Sequence, residues 1–495
     1  MNLLEQIENF GAIDAENDER LIEYFYRTSI IDKLFTYQKS IIIGRKGSGK
    51  TAIYKYIQNE KKQNCTALLF KDYPWKTHDR FKNNVVSDRE SYVNSWTFFF
   101  YIEIFKKVIE LRDSVSNKSI SKEIRKMEKW LKKNWGSINF DHREDMSPKK
   151  NKFNFTFNPQ ILGNSLGSVS KDLTEKENIG STLSEYNRKL EKITMELMKD
   201  FNTEIILIFD ELDLSYSHSD SNYKNRLIGL LLTTYNFHNI FKEKIRIFIF
   251  LRNDIFNYLE FQDKNKIKDN MVEFLDWDSN SIESNLSLKS LISNRIKNNI
   301  NSKSDNFERN WNEIVEHNNI GRNQLKWNFI MERTFVRPRD VIKFMNLALE
   351  QAKMRLNNEP DSIDKITNVD IHNMKQKYST YLFEELKDEI NSKYPDYDVY
   401  MEILRDIHKM SFTREEFSKS YENVKVRLSL SENIDTIMER LYEFSIIGFY
   451  KPGGGGYGGS EYRFQYKSDY QAFDLRSQKY RVHYGFKEYL ELNEN

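Results

Sequence analysis

Residues 44–51, Gly-Arg-Lys-Gly-Ser-Gly-Lys-Thr, fit the pattern GxxxxGK[ST], and each position of that pattern has a chemical task. Gly44, Gly47 and Gly49 let successive backbone N–H groups converge on phosphate oxygens. Lys50 would reach the β and γ phosphates, and the Thr51 hydroxyl would ligate Mg²⁺. Arg45, Lys46 and Ser48 fill the remaining positions of the cradle. The chain has only 18 glycines in 495 residues, so three within six positions call for a local reason.

A phosphate cradle with a metal needs a carboxylate beside it, and "TEIILIFDELD" supplies one. Ile205 to Phe209 form an apolar run suited to a parallel strand buried on both faces. At its end Asp210 would hold the Mg²⁺ shell through water, and Glu211 would polarise an attacking water. Asp213 reads equally as a cap for the next segment. A third run, "KIRIFIFLRNDIF", ends in Arg252, Asn253 and Asp254. Arg252 or Asn253 is a candidate sensor of the γ-phosphate; the alternative is a turn into a helix beginning near Ile255.

These residues require an α/β scaffold with a parallel sheet. Ser40 to Ile43 read as the strand entering the cradle, and "GKTAIYKYIQNEKK" as a helix that points its positive end at the same anion. "CTALLFKDY" is a further strand and "SYVNSWTFFFYIEIFKKVIELR" a buried helix. After Trp277 buried strands cease and a helical lid is expected, with Leu286, Leu288, Leu291, Ile292 and Ile296 at helical spacing. Arg337 and Arg339 bracket Pro338 at the entry of a second lid helix, striped by Val341, Ile342, Met345, Leu349 and Ala352. Those arginines are candidates to reach the γ-phosphate from above, although proline in a first turn is also ordinary helix grammar.

The expected organisation is an ATPase-like core over 1–276, the lid over 277–356, and a long helix plus winged helix over 357–495. Residues 1–38 read as a helical prelude with Leu21, Ile22, Phe25 and Tyr26 on one face. An insertion spans about 113–180: a helix carrying Lys118, Lys122, Arg125, Lys126, Lys129, Lys132 and Lys133, then Lys149, Lys150 and Lys152, with Phe153, Phe155 and Phe157 alternating as in a strand. Trp130 and Trp135 would stack on bases if they faced out; a solvated amphipathic helix with both facing in is the preferred reading. In the winged helix, a capping box from Thr413 to Glu416 opens the second helix. The third leaves Asp435, Thr436, Glu439, Arg440 and Glu443 outside, a net negative face that phosphate would repel. Wing residues Lys451, Arg463 and Lys467 remain free to touch a DNA backbone, so DNA is a possible partner but protein docking is favoured.

Composition narrows the class. With 39% apolar and 30% charged residues the chain reads as globular, and no apolar run approaches the roughly 20 residues that span a bilayer. A single cysteine, no secretory leader pattern and no HExxH or CxxC suggest a cytoplasmic protein without structural zinc. Net charge is +2, so any basic surface must be local. There is no LSGGQ-like signature, no NKxD and no second strand-rich half, which argues against ABC ATPases, GTPases and helicases and leaves ATP as the nucleotide.

"GRKGSGKTAI", "FDELD", "LRNDIF" and "RPRDVI" together resemble the AAA+ superfamily in its ORC-like and STAND-like branch. More narrowly, they resemble a family of bacterial P-loop ATPases encoded in phage-defence islands. The resemblance implies ATP binding and hydrolysis with Mg²⁺, coupled to homo-oligomerisation or to a separate effector in antiviral defence. It also leaves open a DNA-binding loader and a nucleotide-gated scaffold.

Overall fold

A computed structural model of the chain describes residues 2–71, 75, 78–79, 87–114, 117–139, 179–213, 221–278, 286–321, 323–391, 394, 397–428, 432–453, 459–467 and 472–494. The chain divides into two compact units, one of residues 27–276 and one of residues 1–26 with 277–495. A short first helix, α1 (Leu3–Gln6), belongs to the second of these.

Unit 27–276 runs α2 (Ser29–Phe35), β1 (Ile41–Gly44), α3 (Lys50–Glu60), β2 (Cys65–Leu69), α4 (Asp88–Glu110), α5 (Lys118–Trp135) and α6 (Ile179–Asp200). It continues through β3 (Ile205–Asp210), α7 (Ser221–Phe241), β4 (Ile245–Arg252), α8 (Asn253–Tyr258), α9 (Lys264–Met271) and β5 (Val272–Phe274). The strands form one parallel sheet in the order β2-β3-β4-β1-β5. Unbroken Ile, Leu and Phe runs explain this: every residue of β1 and β3 is buried, so both faces of the sheet must be covered by helices. Helix α4 is apolar nearly all round, and Trp96, Phe98, Phe99 and Phe100 are buried in the core beside Phe209. Helix α5, in the described part of the expected insertion, adds Ile124 and Met127 to that same core, and α6, which begins where the expected insertion ends, adds Leu190 and Ile193. The expected strand at Phe153, Phe155 and Phe157, with Lys149, Lys150 and Lys152, lies outside the described residues. Strand β5, three residues paired to β1 from Ile41↔Val272 onward, was not anticipated.

The second unit contains α10 (Leu288–Asn299), α11 (Phe307–Ile314), α12 (Lys326–Met331), α13 (Pro338–Asn358), α14 (Asn368–Asn391) and α15 (Tyr397–Ile407). Then come β6 (Ser411–Phe412), α16 (Arg414–Leu428), α17 (Ile434–Glu443), β7 (Ile447–Lys451), β8 (Glu461–Arg463) and β9 (Tyr480–Val482). The expected break near residue 357 is a turn within one core: α13 and α14 lie side by side, with Phe344 and Tyr378 rings 4.9 Å apart. Arg355 closes that turn, donating to Asp370 (3.0 Å), Ser362 Oγ (2.7 Å) and the Lys365 carbonyl (2.7 Å). The order α15-β6-α16-α17-β7-β8 follows the winged-helix outline, and the Thr413–Glu416 capping box forms in both directions. Strand β9 enters the antiparallel sheet between β6 and β7, giving β6-β9-β7-β8.

Residues 1–26 depart from the expected helical prelude. Residues 19–24 form turns, burying Leu21 and Tyr24 while Ile22 is 38% exposed. The cause is polar: Tyr24 donates to Asp18, and the Arg295 guanidinium lies over the Tyr24 ring at 4.3 Å, so a cation–carboxylate cluster sets the path. Asn346 ties the segment down, accepting from the Phe10 N–H (2.7 Å) and donating to the Gly11 carbonyl (2.9 Å). Among the described residues no helix is long and apolar enough to cross a membrane.

Removing the carboxylate from the α13–α14 turn strands a cation. Asp370→Ala should cost about 3 kcal/mol. The melting midpoint of the full chain should then fall by about 6–12 °C in a thermal denaturation scan.

Candidate functional site

The loop is built by β1 delivering the chain to the C-terminal end of the sheet and α3 carrying it away. A Cβ on Gly44 would stand 2.3 Å from Ser48 Oγ, so only glycine fits where the loop folds back. Gly47 and Gly49 have φ of +79° and +97°, in the left-handed region; space around Gly49 is open, so backbone conformation alone selects it. The Ser48 N–H closes a turn onto the Arg45 carbonyl at 3.1 Å, and Gly49 serves as N-cap of α3. No acidic residue occupies the first turn of α3, whose positive end is therefore left for an external anion.

Lys50 folds over this loop. Its Nζ donates to the carbonyls of Gly44 (2.9 Å) and Arg45 (3.1 Å), and burial lowers its pKa against the pull of Asp213 and Asp210. Asp210 is 3% exposed. Burial pushes its carboxyl up to about 7, opposed by hydrogen bonds from the Glu211 backbone and the Thr51 side chain and by the Lys50 charge. Its Oδ2 is buried with no hydrogen-bond partner among the described residues. A hydroxyl bonded to a carboxylate that keeps one unsatisfied oxygen is a donor set suited to a hard divalent cation, so Thr51 and Asp210 fit Mg²⁺. Glu211, half-buried, has φ of +58° and turns the chain out of β3 directly after Asp210. Such a conformation in a non-glycine residue costs about 1–2 kcal/mol and is characteristic of functional loops.

Strand β4 lies between the two strands that carry this chemistry. Gly44 pairs with Arg252 and Phe209 with Ile249, so the tip of β4 is flanked by the cradle on one side and the acidic strand on the other. Arg252 reaches Asp213 (3.4 Å) and Asp254 (2.8 Å). Asn253 is 7% exposed, opens α8 two residues earlier than expected, and accepts from the Asn257 amide at 3.4 Å. Tyr54 was overlooked in the sequence. It sits one turn after Lys50, is buried against Phe250, and has its pKa raised by burial and by the charges of Asp210, Cys65 and Glu211. Its i+4 spacing from the lysine was the available signal.

Arg337 and Arg339 belong to the other unit. Arg337, 4% exposed, is the N-cap of α13 and donates through Nε to both oxygens of Asp340 at 2.8 Å, with Glu389 at 3.7 Å. Arg339 pairs with Asp14 (2.8 Å) and Glu385 (2.9 Å). Both are thus engaged within their own unit. Trp130 and Trp135 are buried with ring centroids 5.3 Å apart, and neither is presented for base stacking. On α17, Asp435 pairs with Arg414, and Arg440 is held by Glu432 and Tyr400.

The parallel order, with one strand separating Gly44 from Asp210, decides the architecture. This is an α/β fold built on a five-stranded parallel sheet. A family model described as the FunZ-associated C-terminal helical domain matches residues 286–387, from α10 into α14. The chain is 23% identical over 423 residues to the putative transposon gamma-delta 80.3 kDa protein of Escherichia coli (strain K12), covering 82% of this chain and 55% of that protein. It therefore spans about half the length of the curated relative it matches. Similar solved structures include the Aeropyrum pernix ORC1 protein in complex with DNA, at 9% identity and a TM-score of 0.34, covering 91% of this chain and 90% of that one. Another is Cdc6p from Pyrobaculum aerophilum, at 12% identity and a TM-score of 0.27, covering 88% and 87%.

The Asp210 carboxyl carries a pH signature. With its pKa raised to about 7 in the folded chain, it contributes stability that is full below the unfolded aspartate value and is lost as pH rises through about 7. Free of nucleotide, the protein should melt lower at pH 8 than at pH 5. Asp210→Asn should raise the pH 8 midpoint and shrink that gap, read by parallel thermal scans of both proteins.

Proposed function

We propose that the chain binds and hydrolyses ATP at the β1–α3 loop and couples the cycle to assembly with, or remodelling of, a partner in bacterial antiphage defence. The observation that carries this reading is the half-buried Lys50 and Thr51 gathered at the positive end of α3 with the buried Asp210, one of whose carboxylate oxygens has no hydrogen-bond partner among the described residues.

Backbone N–H groups of residues 45–51 would hold the phosphates, and Lys50 would exchange the Gly44 and Arg45 carbonyls for β and γ oxygens. Thr51 and Asp210 would hold Mg²⁺, which when bound neutralises charge on the phosphate oxygens. Glu211 accepts the proton of a water attacking the γ-phosphorus as the bond to the β–γ bridging oxygen breaks, releasing ADP and phosphate. Arg252 and Asn253, at the tip of β4, are positioned between cradle and carboxylate to register the γ-phosphate. Arg339 would serve as a second sensor only by exchanging its ion pairs with Asp14 and Glu385; Arg337, nearly inaccessible, is better explained as a structural tie to Asp340.

Nuclease, protease and deaminase signatures are absent from this sequence, so in this reading a separate effector does the damage. The acidic outer face of α17 supports protein docking there in preference to DNA reading. The proposed location is the cytoplasm.

Phosphate release from ATP should fall at least a hundredfold in both Lys50→Ala and Glu211→Gln, while equilibrium nucleotide binding is lost only in Lys50→Ala. Turnover by Glu211→Gln at the parent rate would remove the hydrolysis mechanism. Phage protection by Glu211→Gln but not by Lys50→Ala, scored by plating efficiency with the neighbouring genes present, would instead indicate a nucleotide-gated scaffold. For the arginines, Arg337→Ala should lower the melting midpoint by several degrees. Arg339→Ala should slow hydrolysis with less effect on melting if the sensor role holds.

A further inference from the structure

Helix α5 is strongly amphipathic. Ile120, Ile124, Met127, Trp130, Leu131 and Trp135 are buried in the core, while Lys118, Lys122, Arg125, Lys129 and Lys133 are exposed. At 100° per residue those five cations fall within an arc of about 80° and run along about 22 Å of helix. Their neighbours Lys126 and Lys132 are neutralised by Glu123 and Glu128 at 2.6 Å and 2.7 Å. The five themselves make no ion pair, hydrogen bond or ring contact among the described residues. A row of like charges one to two turns apart raises the energy of its own helix, and natural helices usually relieve it with acids at i+4. Here the acids of the helix go to the flanking lysines and the central row is left bare.

We propose that this face of α5 is a docking strip for the phosphate backbone of duplex nucleic acid, bound without regard to base sequence. A straight row of this length spans about six base-pair steps of a duplex, at about 3.4 Å of axis per step, with phosphates of both strands within that length. Single-stranded nucleic acid is a poorer fit, because such sites use exposed aromatic platforms and both tryptophans of α5 are turned into the core. A membrane surface is a poorer fit because the apolar face that would enter the bilayer is already committed to protein packing. A protein partner would need an apolar or aromatic anchor at the centre of the patch, and the strip has none. The proposal is independent of the nucleotide site, which α5 does not help to form.

The test uses the full chain and a fluorescent 30-base-pair duplex of arbitrary sequence, titrated by anisotropy from 50 to 200 mM salt. Five neutralised phosphates predict a log–log slope of about −4.5 and an affinity loss of several hundredfold over that range. Replacing all five cations by glutamine, which has similar helix propensity, should flatten the slope by about four units and leave basal ATP hydrolysis unchanged. The milder Arg125→Gln/Lys129→Gln variant should lose about two units, and so reads the same effect if the fivefold variant does not fold. Absence of duplex binding, an unchanged slope in these variants, or loss of slope confined to a Lys451→Gln/Lys467→Gln wing variant would overturn the proposal. So would binding to vesicles of phosphatidylserine and phosphatidylcholine without binding to the duplex.

Discussion

The structure of unit 27–276 turns on a charge held where water cannot reach it. Asp210 closes a strand buried on both sides, receives the Thr51 side chain and the Glu211 N–H, and still has an oxygen without a partner among the described residues. Such a group weakens the folded state unless something cationic completes its shell. Lys50 only partly answers it, since its own donors are turned to the Gly44 and Arg45 carbonyls and its charge is itself disfavoured by burial. Two opposite charges are therefore kept close and incompletely satisfied. A cation that completed the Asp210 shell would recover that unfavourable desolvation.

The order of the strands decides what else can feel the ligand. Because β4 separates β1 from β3, its last residues touch both halves of the site, and Arg252 links Asp213 on one side to Asp254 on its own turn. A change at the phosphate cradle can thus alter the same charge network that stands beside the acidic strand. An adjacent β1–β3 pairing would leave no side chain in that position. Tyr54 and Phe250, in edge contact beneath, tie α3 to β4 and keep the distance between them fixed.

What could be read without coordinates was what is local. Residues 44–51 and 205–211 declare themselves because each needs only a few consecutive side chains of the right type, and hydrophobic runs of five or more residues mark β3 and β4. β5 was missed because three residues between α9 and a loop carry no period; only its pairing with Ile41 to Ile43 makes it a strand. The first 26 residues were misread for a related reason. Their apolar positions suggested one helical face, but the Asp18–Tyr24–Arg295 cluster and the Asn346 hydrogen bonds join positions hundreds of residues apart, and no pattern within the segment reports them. The boundary drawn at residue 357 failed similarly: polar, proline-containing composition marks a turn, but whether a turn separates domains depends on what packs across it. The arginines at 337 and 339 show the limit most clearly. Arg337 caps α13 and Arg339 lies in its first turn, yet Asp340, Glu385 and Asp14 already engage them, which composition cannot weigh.

Helix α5 shows how one periodicity can carry two messages. Its apolar stripe is explained by the core it enters beside α4, and this disposes of the tryptophans as stacking platforms. The stripe does not explain the other side, because a helix needs only polarity to face water, and mixed charge is the lower-energy way to provide it. The chain as a whole carries nearly balanced charge, 76 basic against 74 acidic residues, so an uncompensated row is not forced by composition. It is a local choice, and what such a choice best complements is a partner with regularly repeated negative charge.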